Sequence, residues 1–216
     1  MKLSCLLLLS CFFNVVSAAE FEPLDVIPED VKSITAVVPI FSQKVAFNLP
    51  TTWKAVFEDQ QAGSYIIEFI PQVETIDNWN NLFTVQGFEN LANQTTPIDF
   101  LNTMAFHFKE ACGDYAFFEK LGLMDITGHQ AFAVIMGCSN MPDANGNISE
   151  GGQSELGYYI AIKGKQDYYL VQKLLRGEIF NPDEPPVNKA NAANFISDFM
   201  PIEICQAGGE AYECNK

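Results

Sequence analysis

The sequence predicts an α+β fold, in which a mainly antiparallel β-sheet is packed by two helices. Several segments alternate apolar and polar residues with the period of a half-buried strand, and two others repeat apolar residues at helical spacing. These segments follow one another in the order strands, helix, strands, helix, which is typical of an α+β domain. Residues 41–216 contain no internal repeat, no linker and no sign of a second hydrophobic core, so they are predicted to form a single domain.

Two strands and a turn are predicted in the first part of this domain. Residues 43–50 alternate in polarity and end at a proline, and residues 64–71 form a second apolar run that also ends at a proline. Trp53 is expected in a turn after Pro50, and the turn-forming residues 60–63 suit an antiparallel hairpin.

The middle of the sequence predicts the first helix. Residues 77–82, which carry Trp79, are expected to form a short helical turn, and residues 83–88 a strand. Thr96 is suited to cap a helix whose first position is Pro97. Apolar residues then recur every three or four positions as far as Cys112, and Gly113 suits a left-handed cap.

The second half predicts four strands and a final helix. Residues 115–121 and 130–138 are expected as strands, and a polar loop rich in glycine and asparagine covers 139–154. Residues 156–163 and 167–175 are predicted to pair as a hairpin through the tight connection at 164–166. Residues 188–200 have the spacing of a second helix.

The N-terminus has the three parts of a secretory signal. Lys2 is followed by an apolar run over residues 3–13 and by the small residues Ser17, Ala18 and Ala19 at the expected cleavage site. We therefore predict a signal peptide over residues 1–19 and an acidic N-terminal arm over 20–40. Lipidation at Cys11 is an alternative. The expected location is extracellular, with the periplasm as the alternative.

Charge narrows the choice of partners. The chain has 27 acidic and 12 basic residues, which gives a net charge of −15. Such a charge argues against nucleic acid and anionic membrane surfaces, which attract lysine and arginine. A protein partner is expected, with no stable membrane insertion, and the oligomeric state stays open.

Four cysteines remain after removal of the predicted signal. An even number of cysteines in an exported protein indicates disulfides. We favour Cys112–Cys138 and Cys205–Cys214 among the three possible pairings. A zinc site is not favoured, because the sequence has no Cys-x-x-Cys pattern and only two histidines.

No residue pattern predicts catalysis. His107 and His129 are the only histidines, and neither lies in a nucleophile motif. Glu68 and Glu119 are the acids considered for paired-carboxylate chemistry. The loop over residues 143–150 places oxygen-bearing side chains at alternate positions, as calcium loops do, but departs from the EF-hand pattern. No cofactor is therefore expected, and calcium in this loop is the alternative.

Aromatic residues are the candidate binding residues, although core packing is the default interpretation for them. Because side chains alternate along a strand, one tyrosine of each adjacent pair faces each side of the sheet. An exposed aromatic face would be a binding surface. The candidates are Trp53, Trp79, Tyr158, Tyr159, Tyr168 and Tyr169, with Phe83 and Phe88 nearby in sequence.

The segment Val-Ala-Phe-Asn-Leu-Pro-Thr-Thr-Trp over residues 45–53 resembles the opening of Mog1/PsbP-like domains. The block over residues 78–88 resembles a motif of small exported gamma-proteobacterial proteins, some of them type II secretion substrates. The resemblance implies a sheet-and-helix sandwich and a binding or scaffolding role. It implies no catalytic residue, because Mog1/PsbP-like domains share no catalytic set.

Three hypotheses for function follow. The first is a secreted or periplasmic binding or interaction protein, and specifically an exported bacterial effector. The second is a secreted hydrolase of unrecognised type, which requires a pocket where a histidine or two carboxylates converge. The third is an inhibitor of another protein that acts through the 139–154 loop.

Overall fold

Ten strands and two α-helices are present in the part of the chain that the structure describes. The computed structural model describes residues 30–143, 145–149 and 151–206. In chain order the strands are β1 (Ser33–Ile40), β2 (Gln43–Pro50), β3 (Trp53–Gln61), β4 (Ser64–Pro71), β5 (Asn81–Phe88), β6 (Ala116–Ile126), β7 (His129–Cys138), β8 (Ser154–Lys163), β9 (Tyr168–Gly177) and β10 (Ile202–Gln206). The helices are α1 (Pro97–Cys112) and α2 (Ala192–Ile196).

The strands form two antiparallel sheets that pack face to face. The larger sheet has the order β3-β4-β5-β9-β8-β7-β6, and the smaller has the order β1-β2-β10. The predicted α+β class, mainly antiparallel with two helices, is confirmed. The predicted hairpin of β8 and β9 is also confirmed, with Ser154 opposite Gly177 and Lys163 opposite Tyr168.

Apolar side chains fill two layers, one on each face of the larger sheet. The inner layer lies between the sheets and includes Phe47, Phe69, Phe83 and Phe199, all at most 5% exposed. The outer layer lies beneath α1, where Leu101 is fully buried. Nearly every residue of β7 and β8 is buried, because these strands are covered on both faces.

Helix α1 matches the sequence prediction closely. Thr96 has an extended backbone, and its hydroxyl accepts a hydrogen bond from the Asp99 amide. The predicted Cys112–Cys138 disulfide is present, with Cα atoms 5.8 Å apart, and it joins the end of α1 to the end of β7. Gly113 follows at a positive φ of 56°. Cys214, the predicted partner of Cys205, lies outside the described residues, as does the predicted signal peptide.

Two strands at the start of the domain differ from prediction. Residues 33–40 of the predicted arm form β1, whose alternation is disguised because Pro39 lies within it. Trp53 begins β3 and does not lie in a turn. A bulge between Ala55 and Phe57 breaks the alternation that would have marked this strand. The turn at Ala62 and Gly63 therefore joins β4 to β3, whereas β2 pairs with β1 and β10.

Two predicted helical segments are wrong in extent or type. Residues 77–82 form no helical turn, because the Glu74 carboxylate accepts bonds from the amides of Asn80 and Asn81 and shapes a loop. The helix predicted over 188–200 shrinks to α2 and one 3-10 turn. Asn188 and Asn191 bond nearby backbone amides, which competes with helix formation before residue 192. Residues 202–206 of the predicted tail form β10.

A buried carboxylate fastens the two sheets together at one end. Asp167, only 1% exposed, precedes β9 in the larger sheet. It accepts hydrogen bonds from the amide and hydroxyl of Ser42, in the β1–β2 turn, and from the Asn90 amide. Gln43, also 1% exposed, receives the Lys165 amide at 2.9 Å. We call Asp167, Gln43 and the groups they bind the clasp.

The two sheets are also hydrogen-bonded to each other on the side of β6 and β10, and they separate on the side of β1 and β3. The Thr127 hydroxyl, after β6, donates to the Ile204 carbonyl of β10 and accepts from its amide, at 3.0 and 2.9 Å. On the opposite side β1 and β3 are the outermost strands, and no described residue pairs with their free edges. The sandwich is thus joined at the clasp and beside β10, and open between β1 and β3.

Replacing Asp167 with alanine is expected to destabilise the fold. Three hydrogen bonds to a charged, buried acceptor would be lost, so we expect the free energy of unfolding to fall by about 3 kcal/mol. Denaturant unfolding followed by circular dichroism measures this. Asp183→Ala, at an exposed loop position, is the matched control and should change the midpoint little. Equal midpoints for the two variants would contradict a fastening role for the clasp.

Candidate functional site

Two clefts meet at the open end of the sandwich, at the far end of β2 from the clasp. The apolar cleft, about 620 Å³, lies between the sheets and is lined mainly by Ile34, Leu49, Trp53, Ala55, Phe57 and Phe69. The polar cleft, about 670 Å³, is lined by Lys32, Ser33, Asn48, Thr52, Trp53 and Asp198. Both volumes fall within the range of roughly 300–1,000 Å³ that is usual for ligand sites. Pro50, Thr51 and Trp53 line both clefts, so the two clefts adjoin at the turn between β2 and β3.

The core holds Trp53 in place without burying it fully. Its ring meets Phe199 edge to face at 4.9 Å between centroids, and Phe199 stacks in parallel on Phe83 at 4.0 Å. Trp53 itself is of intermediate exposure. A tryptophan anchored on one side and open on the other is the kind of residue that dominates binding energy at interfaces.

The turn between β2 and β3 is held by hydrogen bonds on both sides. The Thr51 amide donates to the Lys32 carbonyl at 3.0 Å, and the Thr51 hydroxyl donates to the Val31 carbonyl at the same distance. The Gln72 side chain donates to the Thr51 carbonyl at 2.9 Å. The Leu-Pro-Thr-Thr-Trp segment therefore presents a preformed surface to both clefts, and a ligand would not have to order it.

Both signs of charge border the clefts. Lys54 and Glu58 line the apolar cleft, and Lys32 and Asp198 line the polar cleft. The Lys54 ammonium donates to the Gln72 carbonyl at 2.9 Å. No histidine or cysteine is among the described residues that line either cleft. The clefts are equipped to bind apolar and hydrogen-bonding groups.

Burial places five of the six predicted binding residues in the core. Trp79, Tyr158, Tyr159, Tyr168 and Tyr169 are each at most 7% exposed. Trp79 lies under the Arg176 guanidinium at 3.8 Å, and desolvation raises the pKa of each of the four tyrosines. An exposed aromatic sheet face does not form from them, because β8 and β9 are covered on both faces. Trp53 is the one of the six that lines the apolar and polar clefts, whereas Tyr158 lines a smaller pocket of about 220 Å³ beside Met124 of β6.

The two histidines lie in different parts of the structure and make different contacts. His129 belongs to the clasp: its Nδ1 lies 3.2 Å from the Lys163 carbonyl and its Nε2 lies 3.3 Å from the Gln43 amide nitrogen. His107 is exposed on α1, 3.4 Å from Glu110. It also lines an apolar cavity of about 380 Å³ beside the disulfide, together with Met104, Phe108 and Met141. The cysteines of that cavity are bonded to each other, so they offer no thiolate for a histidine to activate.

The two acids considered for catalysis, Glu68 and Glu119, also lie apart and have different neighbours. Glu119 accepts a hydrogen bond from the Lys189 amide at 2.8 Å. Glu68 lies on the outer face of β4, half-buried, and desolvation together with the nearby Glu155 raises its pKa. Glu155 forms an ion pair of 2.7 Å with Arg176. Neither Glu68 nor Glu155 lines a cleft described above.

In the loop considered for calcium, the Asp143 side chain accepts hydrogen bonds from the backbone of the same loop. One Asp143 oxygen accepts the amides of Asn145 and Asn147, each at 2.8 Å, and these bonds lower the pKa of the Asp143 carboxyl. No group of three or more histidines, cysteines, aspartates or glutamates is placed to hold a metal within the described ranges. Calcium in this loop stays a prediction from the sequence.

Comparisons with known proteins identify similar solved structures only. No protein-family model matches the chain, and no curated protein sequence matches it. The solution structure of cyanobacterial PsbP from Synechocystis is 15% identical, covering 82% of this chain and 98% of that one, with a TM-score of 0.44. The Saccharomyces cerevisiae Ran-binding protein Mog1p is 10% identical, covering 76% and 84%, with a TM-score of 0.39.

A third similar structure comes from a larger protein. The crystal structure from Bacteroides thetaiotaomicron is 14% identical, with a TM-score of 0.39, and the match covers 76% of this chain but 46% of that one. This chain therefore spans about half the length of that protein. Two of the three structures are of the Mog1/PsbP type that the sequence resembles. Similarity of this size carries no inference about function, which has to come from the clefts.

Glu68 generates a prediction for the dependence of stability on pH. Because its pKa is raised in the folded state, folding favours the protonated form, and the charged form costs stability as pH rises through and above 4.5. Glu68→Gln should therefore melt at a higher temperature than the natural protein at pH 7, and the difference should shrink as pH falls below 4.5. Thermal melts across that range measure this. Glu110→Gln, at an exposed helix position, is the control. A pH-independent difference would contradict the assignment.

Proposed function

We propose that the chain is a non-catalytic binding protein that works after export and captures a protein partner at the clefts around Trp53. The observation that supports this proposal most strongly is a partly exposed tryptophan, packed against Phe199, that lines both an apolar and a polar cleft next to a preformed turn. Aromatic anchors of this kind pair with pockets on a partner, while the polar groups around them fix orientation.

Charge and cysteine chemistry support the same proposal. A net charge of −15 attracts basic partners and raises their association rates. The Cys112–Cys138 disulfide suits an oxidising compartment. None of the helices among the described residues is long and apolar enough to span a membrane. Within the proposal, the protein is an exported bacterial effector or an envelope protein, and the predicted signal peptide supports either location.

A peptide library displayed on phage tests the binding site. Peptides selected on the natural protein should lose at least about tenfold in affinity for Ala55→Arg, because the long side chain would occupy the apolar cleft. Ala55 is exposed, so this variant leaves the core intact, and Ala190→Arg at another exposed position is the matched control. Trp53→Ala should lower affinity as well. Selected peptides that bind Ala55→Arg and the natural protein equally would place binding elsewhere.

Intact mass tests the proposed export. Protein purified separately from culture medium and periplasm should begin just after Ala18 or Ala19, and its mass should be lowered by about 4 Da for two disulfides. Mature protein mainly in the medium favours an effector, and mature protein confined to the periplasm favours an envelope role. An uncleaved chain in the cytoplasm, or a lipid on Cys11, would contradict the proposal of a soluble exported protein.

A further inference from the structure

The described residues leave the inner face of β3 uncovered beside β1. Ala55, Glu58 and Gln60 are exposed, although the residues directly opposite them on β4 belong to the buried inner layer (Phe69, Ile67 and Tyr65, respectively). The smaller sheet therefore ends at β1 while the larger sheet extends under it to β3. The uncovered stripe is about one strand wide, since neighbouring strands lie roughly 4.8 Å apart. The apolar cleft is the part of this stripe nearest Trp53.

The hydrogen-bonding groups on the free edge of β1 can be assigned from its register. The Thr51 amide donates to the Lys32 carbonyl, so even-numbered residues of β1 direct their backbone groups toward β2. The amides of Ser33, Thr35 and Val37 then point away from β2, where no described residue pairs with them. Pro39 is the next odd-numbered residue and has no amide hydrogen. Outward-pointing amides are therefore limited to the half of β1 beside the clefts.

We propose that an extended peptide segment of the partner adds to this edge of β1 as a fourth strand of the smaller sheet. This inference rests on the proposed function and names the form in which the partner binds. Residues 33–37 offer a row of backbone donors and acceptors with which no described residue pairs, and only another polypeptide backbone can match such a row along its length. The added strand lies over the inner face of β3 and fills the uncovered stripe.

The position of the added strand over the apolar cleft also indicates which side chains the partner segment carries. Ile34 and Ala36 face inward, so alternate residues of the added strand also face inward, into the apolar cleft, and these are apolar. Glu58 lies exposed on the stripe, and one of its carboxylate oxygens accepts the Tyr65 hydroxyl at 2.8 Å. Together with the net charge of −15, it favours a lysine or arginine at the end of the segment that passes Glu58. The occupant is an extended segment with alternating apolar residues and a terminal basic residue.

Thr35→Pro and Thr35→Ala test strand addition as a matched pair. Both remove the exposed threonine side chain, but only proline removes the outward amide, and Pro39 shows that this edge accepts proline. The probe is the peptide selected by phage display on the natural protein. We expect Thr35→Pro to bind it about tenfold more weakly than Thr35→Ala, because a backbone hydrogen bond is lost and the ring obstructs the added strand. Glu58→Gln should weaken binding and reduce its dependence on salt.

Amide hydrogen exchange on the natural protein gives an independent measurement and decides the case if Thr35→Pro does not fold. The peptide should protect the amides of Ser33, Thr35 and Val37. Equal affinity of the two Thr35 variants, or unchanged exchange at these amides, would overturn strand addition. If the same peptide still loses affinity for Ala55→Arg, the proposed function stands and only the strand addition fails. A dimer of the natural protein that Thr35→Pro converts to monomer would identify a second copy as the occupant and would also overturn it.

Discussion

The structure depends on the burial of one carboxylate between two turns. Asp167 belongs to the larger sheet, and its oxygens accept hydrogen bonds from Ser42 of the smaller sheet and from Asn90 after β5. A buried carboxylate is costly unless its lone pairs are satisfied, so the two turns have to meet at Asp167 with little freedom. Close packing follows around this point. A Cβ atom at Gly87 would collide with Ile40, so β5 and β1 approach each other here in a way that only glycine permits.

Fastening one end of the sandwich leaves the other end available for binding. From the clasp, β2 runs to the turn at Thr51 and Thr52, where the sheets diverge around Trp53. The aromatic rings of Phe47, Phe83 and Phe199 fill the interior behind the tryptophan, so the clefts have a rigid floor. A rigid floor lowers the entropy cost of binding an extended segment beside β1, because these side chains do not have to become ordered when it binds.

Several polar side chains, including two considered above for catalysis, make hydrogen bonds within the fold. His129 bridges Gln43 and the Lys163 carbonyl within the clasp, and Glu119 receives the Lys189 amide. Lys173, 7% exposed, donates to the Phe195 carbonyl and lies over the Phe199 ring. Desolvation lowers the pKa of this lysine. These groups carry the hydrogen bonds that connect the sheets and the segment around α2.

Local patterns in the sequence by themselves determined most of the regular elements. The alternation of β2, the apolar runs of β4, β7, β8 and β9 and the Thr96-Pro97 start of α1 all follow from interactions between residues near in sequence. The cysteine count left three pairings open, and the structure contains the favoured Cys112–Cys138 bond. Elements with weak local signals were missed or misjudged. The bulge hides β3, Pro39 hides β1, and β10 is too short to show a period.

Only the tertiary structure decided which aromatic residues are exposed and where the sheets open. Tyr158, Tyr159, Tyr168 and Tyr169 alternate between the two faces of their strands, and the sequence pattern holds no information on whether both faces are covered. The sandwich covers both, so these tyrosines lie in the core, while Trp53 borders two clefts because the smaller sheet stops at β1. Which strand ends a sheet depends on contacts between residues far apart in the chain, such as Ser42 with Asp167, and local periodicity cannot encode them.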